Sequence, residues 1–248
     1  MAPNALSTYR EGSLHAALKA AYARPGDRVE EAVDGFVIDV VRDGELVEIQ
    51  TASFSSAARK LRSLVDRHRI RLVHPLAVER WLVRVDADGA ILSRRRSPKR
   101  ALPIDVFDEL VAFPELIAHP NFTLELVLLR EEEVRGPIPE GARYRYPREW
   151  WRLDRRLLDV VETITVVDGV DLATLLPPLP ETFTSADIRS ATRRSKRICM
   201  RATYCLTKAG AAECVGKQGR LQAYRLAGPP ATQAEGRGLR AAEATPGQ

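Results

Sequence analysis

Near the start of the chain, apolar positions change their period twice. Leu14, Ala17, Leu18 and Ala21 recur at helical spacing behind Ser13, a residue suited to cap a helix, and the run stops at Pro25-Gly26. Three shorter segments follow, VEEAV, GFVIDVV and ELVEIQT, divided by Asp34-Gly35 and by Arg42-Asp43-Gly44, which are short-turn signals. They predict a three-stranded antiparallel meander. Ala57, Leu61, Leu64 and Val65 return to the helical period, and IRLVHP is almost wholly apolar, as a strand buried on both faces should be. A strand, a helix and a buried strand in this order indicate a parallel crossover. The predicted order is helix, three strands, helix, strand.

Further along, ERWLVRVD and AILSRR predict a hairpin turning at Ala87-Asp88-Gly89, followed by the basic run RRRSPKR at 94–100. IDVFDELVAF and PELIAH predict short helices; TLELVLLREEEV and LLDVVETITV predict strands. The Pro-rich LLPPLPE at 175–181 cannot sustain a helix and reads as a linker. After it, FTSADIRSAT predicts a capped short helix. SKRICMRATYCLTKAG predicts a longer one, with Ile198, Ala202, Cys205, Leu206 and Ala209 on one face and Gly210 closing it. AECVG and LQAYRL form two strands about Lys217-Gln218-Gly219-Arg220. Two helices and a hairpin in this order read as a winged helix-turn-helix. Past Ala227 the composition turns to Gly, Ala, Pro and Gln, and disorder is expected. The expected divisions are a first domain over 1–100, an α+β extension and linker over 101–180, the winged helix over 181–227 and a tail over 228–248.

At 248 residues the chain is long enough to bury a core in one large domain or two smaller ones. No apolar run approaches the roughly 18 residues of a membrane span, and the N-terminus lacks the apolar core of a signal peptide. No membrane partner and a cytoplasmic location are therefore expected. Cys199, Cys205 and Cys214 show no CxxC spacing and read as buried reduced thiols.

The net charge of +5 is unevenly spread. Residues 181–227 hold ten basic and three acidic side chains, so the rest of the chain is slightly acidic. A compact basic segment points to a polyanion, here DNA, with Arg194, Lys196, Arg197, Arg201, Lys208, Lys217 and Arg220 as the residues to meet phosphates or base edges. The bland alternative is a solvated helix face on a small packing module. RRRSPKR reads equally as a grip on a DNA backbone or as a solvated loop.

Candidate chemistry sits in the meander. Glu48 and Gln50 are two apart on one strand and share a face, while Asp39 lies on the adjacent strand across a tight turn. With the helix, three strands, helix, strand order, Asp39 in GFVIDVV and Glu48 with Gln50 in LVEIQT resemble the PD-(D/E)XK nuclease superfamily over about residues 13 to 75. The whole chain looks like a bacterial group in which such a domain carries a C-terminal winged helix. The resemblance implies an α/β restriction-endonuclease-like core and hydrolysis of DNA phosphodiester bonds by a metal-dependent endonuclease. It also implies Mg²⁺ (or Mn²⁺) held by Asp39 and Glu48, and water oriented by Gln50.

Two positions depart from the family pattern. Ile38 stands where a proline often precedes the aspartate, and Gln50 where a lysine usually sits, so no positive charge reaches the reacting phosphate from that strand. Lys60, on the following helix, could supply that charge, although a solvated helical lysine is its ordinary reading. Glu30 and Glu31 could add a carboxylate but read more simply as a solvated strand face. His15, His68, His74 and His119 share no metal-ligand spacing and read as surface or packing residues. The competing expectation is a non-catalytic DNA-binding or regulatory protein whose nuclease-like domain is only structural. A homodimer is left open.

Overall fold

The structure, a computed structural model, describes residues 12–138 and 149–228. Its frame is one mixed sheet. β1 (Arg28–Val33), β2 (Phe36–Arg42) and β3 (Glu45–Ile49) form the expected antiparallel meander, with positive-φ glycines at both turns. A helix α2 (Ala58–Leu64) then crosses over, and β4 (Arg69–Val85) returns parallel to β3, from Glu45↔Arg69 to Ile49↔Val73. The strand order is β1-β2-β3-β4-β6-β7, with β5 (Ile91–Arg96) paired to β4 where β3 has ended. β6 (Phe122–Gly136) lies parallel to β4, and β7 (Trp151–Val166) antiparallel to β6.

β4 runs on through IRLVHP and ERWLVRV as one strand of 17 residues, although Pro75 lies inside it. Proline removes a ladder donor, so it is tolerated where no acceptor waits. The Gln50 amide donates to Val73 O as the last bond from the β3 side, and residue 75 faces that same side, beyond the end of β3.

Two cores cover the two faces. Helix α1 (Ser13–Tyr22) lays Leu14 and Leu18 on Val40, Val47, Ile49, Val73 and Val127. Burying a leucine such as Leu18 contributes about 1.5–3 kcal/mol. Ser13 is the first helical residue and not the cap: its amide and hydroxyl donate to the Asp154 carboxylate, which β7 brings to the positive end of the helix. The opposite face is covered by α2, by α3 (Phe107–Leu110) with the 3-10 turns on either side of it, and by the C-terminal helices.

The expected divisions at residues 100 and 181 are not structural boundaries. The 101–180 stretch supplies β6, paired to β4 from Ile70 to Arg84, so the extension is part of the sheet. The second core runs unbroken from Ile38 to Leu206 and Ala212, so the C-terminal segment has no separate core. That segment consists of α4 (Gly169–Thr174), which sequence patterning did not predict, α5 (Ser185–Thr192), α6 (Lys196–Lys208), and a hairpin of β8 (Ala212–Gln218) and β9 (Leu221–Leu226). Gly169 holds α4 against the end of α6, where a β-carbon would come within 3.0 Å of Ala209 O. Cys199 and Cys205 are buried as expected, whereas Cys214 is exposed on the hairpin. The expected tail lies outside the described residues, apart from Gly228.

Candidate active site

β2 and β3 part at the point where Asp39 sits. Their ladder runs from Arg42↔Glu45 to Val40↔Val47. Beyond it, the Asp39 carboxylate accepts the Ile49 amide at 2.8 Å, a side chain taking the place of a strand. Across the other edge of β2, the residue in register with Asp39 is Glu30, which adopts φ +55°, a backbone conformation that costs a non-glycine residue of order 1–3 kcal/mol. Both neighbouring strands are thus distorted around Asp39.

Four ionisable side chains converge there from three layers. His15 Nε2 on α1 lies 3.4 Å from Asp39 Oδ2, and Lys60 Nζ on α2 lies 2.6 Å from Glu48 Oε2. All four side chains are between 12% and 22% exposed, shielded without being sealed from water. Lys60 also donates to Val37 O at 2.5 Å, which fixes its ammonium at the mouth of the strand pair. Lys60 is therefore not the solvated lysine that is the ordinary reading, and His15 is not a bare surface residue.

The environments push the two carboxylates apart. Burial by itself would raise the Asp39 pKa, but the bonds from His15 and the Ile49 amide, with the charges of His15 and Lys60, outweigh it and hold the pKa below the usual carboxylate value. Glu48 is raised: burial dominates, Lys60 opposes it, and the Asp39 charge adds to it.

Gln50 is committed elsewhere. Its Nε2 donates to Ser53 O at 2.7 Å and Ser56 Oγ at 2.8 Å, so both amide hydrogens hold the turn that leads into α2. Only its Oε1 remains to meet a water. Behind it, His74 Nδ1 bonds to Gln50 O at 2.7 Å and the His74 ring stands edge-on to Phe54, so His74 is a packing residue as expected. Burial lowers its pKa to about 4.

Among the described residues, no group of three or more His, Cys, Asp or Glu side chains is arranged to hold a metal ion. Mg²⁺ is commonly held by one or two carboxylates, with water filling its other positions. Asp39 and Glu48 fit that donor set. Glu48 Oε2 is buried and lies 2.6 Å from the Lys60 ammonium, which is its charge partner in this structure. Glu30 and Glu31 are paired with Lys19 and Arg28 and add no carboxylate to the cluster.

The basic C-terminal residues divide. Arg194 bonds to Asp105 and to Arg100 O, while Arg197 and Arg201 both reach Asp108 at the start of α3. These three arginines anchor α6 to the body of the protein. Lys196, Lys208, Lys217 and Arg220 are exposed and make no ion pair among the described residues. With Met200 and Tyr204, Lys196 and Lys208 form the outward stripe of α6, at every fourth position.

A family model described as Domain of unknown function (DUF8091) matches residues 12–167. The chain belongs to this family. The DUF8091 match runs from α1 to the end of β7, so it contains His15, Asp39, Glu48 and Lys60 and stops before α4. The chain is also similar to an uncharacterized protein of Treponema pallidum (strain Nichols), 31% identical over 227 residues that cover 90% of this chain and 88% of that protein. That span is too long to be the DUF8091 region alone. No solved structure matches the chain. No helix among the described residues is long and apolar enough to cross a membrane.

Proposed function

We propose that this chain is a metal-dependent endonuclease that hydrolyses DNA phosphodiester bonds, with a restriction-endonuclease-like core and a C-terminal winged helix that holds the DNA. The observation that carries this reading is the convergence of Asp39, Glu48 and Lys60 from β2, β3 and α2 where the first two strands part. The helix, meander, crossover and parallel strand around them follow the order of PD-(D/E)XK nucleases.

Asp39 and Glu48 would hold Mg²⁺ or Mn²⁺, which when bound supplies a Lewis acid for the phosphate and a lowered pKa for its water. Lys60 places an ammonium where a developing phosphorane charge needs a partner, the duty that Gln50 cannot perform. His15 keeps Asp39 ionised and oriented. Gln50 braces the turn that carries α2, and so Lys60, onto the site. Lys196, Lys208, Lys217 and Arg220, on the exposed helix face and hairpin tip, supply the unpaired cations for DNA phosphates.

The test is cleavage of duplex, single-stranded and branched DNA by the purified chain, with Mg²⁺ or Mn²⁺ against a chelator. Metal-dependent cleavage that Asp39→Asn lowers by about a thousandfold is expected. DNA binding without cleavage on any substrate would overturn the enzyme reading and favour a non-catalytic DNA-binding protein, in which His15 and Lys60 serve only to neutralise two half-buried carboxylates.

A further inference from the structure

Beyond the end of β3, the long strands β4, β6 and β7 build a concave site that the proposed hydrolysis does not use. It is a cleft of about 640 Å³, within the range of small-molecule sites, formed where the chain leaves β5 and where it enters β7. Its lining joins two kinds of group. Arg95, Lys99 and Arg152 are exposed there and make no ion pair among the described residues, while Trp150, Trp151 and Leu82 offer aromatic and apolar surface.

The back wall is held in place by paired charges. Glu133, the one carboxylate of the lining, is bound by Arg135 at 2.6 Å and by Arg80 at 3.2 Å, so it does not oppose the free cations. The Arg135 guanidinium lies 3.5 Å from the centre of the Trp150 ring and fixes that ring in the cleft. The rim is also ordered: the Ser97 amide donates to Arg80 O at 2.7 Å, and the Ser97 hydroxyl accepts the Lys99 amide. The site therefore has an aromatic wall, with Trp150 held by Arg135, and three cations that make no ion pair among the described residues.

That combination fits one ligand chemistry, a phosphate joined to a flat aromatic ring. We propose that the cleft binds an unpaired nucleotide, its base against Trp150 and Trp151 and its phosphate on Arg95, Lys99 and Arg152. This inference stands apart from the nuclease reading, because it concerns binding and uses none of the residues of the Asp39 cluster. Two sources share the chemistry, a free mononucleotide and an unpaired nucleotide of a single strand. Stacking suits an unpaired base, since a base inside a duplex has both faces covered.

The experiment is a titration of the full chain in chelator, read by intrinsic tryptophan fluorescence, with dAMP, a short deoxyadenosine oligonucleotide, deoxyadenosine and inorganic phosphate as probes. Saturable quenching by dAMP, by the oligonucleotide or by both is expected, with deoxyadenosine and phosphate at least about tenfold weaker because each engages half of the site. Saturation by dAMP identifies a free nucleotide as sufficient; saturation by the oligonucleotide alone identifies a strand. Together, Arg95→Ala, Lys99→Ala and Arg152→Ala should weaken binding by about tenfold or more with unchanged thermal unfolding, since none of the three side chains makes a hydrogen bond or ion pair among the described residues. Arg152→Gln alone should act in the same direction, and Trp150→Phe should reduce the quenching. The proposal is overturned if neither probe saturates, if the triple variant binds like the parent, if phosphate alone accounts for the affinity, or if a duplex of equal length competes as well as the single strand.

Discussion

Two parts of this protein attract notice through charge, and they use it in opposite ways. The C-terminal segment is basic along the sequence, yet three of its arginines are spent on Asp105 and Asp108, so they attach α6 to the sheet domain. The Asp39 cluster is inconspicuous along the sequence, with His15, Asp39, Glu48 and Lys60 spread over 45 positions, yet the fold gathers them into one shielded site. Charge density along a chain thus overstates the number of cations that the fold leaves without an acidic partner. Convergence in space of groups whose pKa values are driven apart is the better mark of chemistry.

The sharpest way to break the comparison is to remove charge from the spatial cluster. Asp39→Asn and Glu48→Gln should each lower metal-dependent DNA cleavage by about a thousandfold while the protein stays folded, as checked by circular dichroism. A smaller effect concerns His74, in the packing behind the site. Its folded pKa is depressed to about 4 from 6.5, so as the pH falls through this window the unfolded chain takes up a proton that the folded protein refuses. Stability should be full above pH 6.5 and decline by up to about 3 kcal/mol towards pH 4, and His74→Gln should flatten the decline in denaturant titrations.

The other side of the comparison yields two further outcomes. Replacing Lys196, Lys208, Lys217 and Arg220 together with alanine should weaken DNA binding by about tenfold and lower the salt slope by about 3 to 4, whereas Arg197→Ala with Arg201→Ala should change the slope less. Asp108→Ala leaves two partly exposed arginines unpaired and should cost about 1 kcal/mol in thermal unfolding. Equal salt slopes for the two cation sets would remove the distinction between anchoring and DNA-facing residues.

Much of the frame was legible in the sequence because it is written in short-range patterns. The Asp34-Gly35 and Asp43-Gly44 turns set the meander, and the alternation of Ile38, Asp39 and Val40 placed a carboxylate in its second strand. The fusion of IRLVHP with ERWLVRV was not legible, since Pro75 reads as a strand breaker unless the neighbouring strand is known to have ended. His15 was missed for a related reason. Its helix could be predicted, but the side of the sheet that α1 covers, and hence the nearness of His15 to Asp39, depends on long-range packing of Leu14 and Leu18. Lys60 carried a usable signal, its place at the edge of an apolar helix stripe after the meander, but only the crossover geometry brings it to Glu48. Arg197 and Arg201 misled because the acidic partner, Asp108, lies 89 and 93 positions away.

The central claim is that the lysine on α2, and not the glutamine on β3, provides the positive charge of a nuclease site. Single-turnover cleavage of one DNA substrate at saturating Mg²⁺, by the parent chain, Lys60→Met and Gln50→Ala, tests it most directly. A loss of about a hundredfold or more is expected for Lys60→Met, against a few-fold loss for Gln50→Ala, with both variants folded. Cleavage by Lys60→Met at the parent rate, or a parent chain that cuts no DNA, would contradict it.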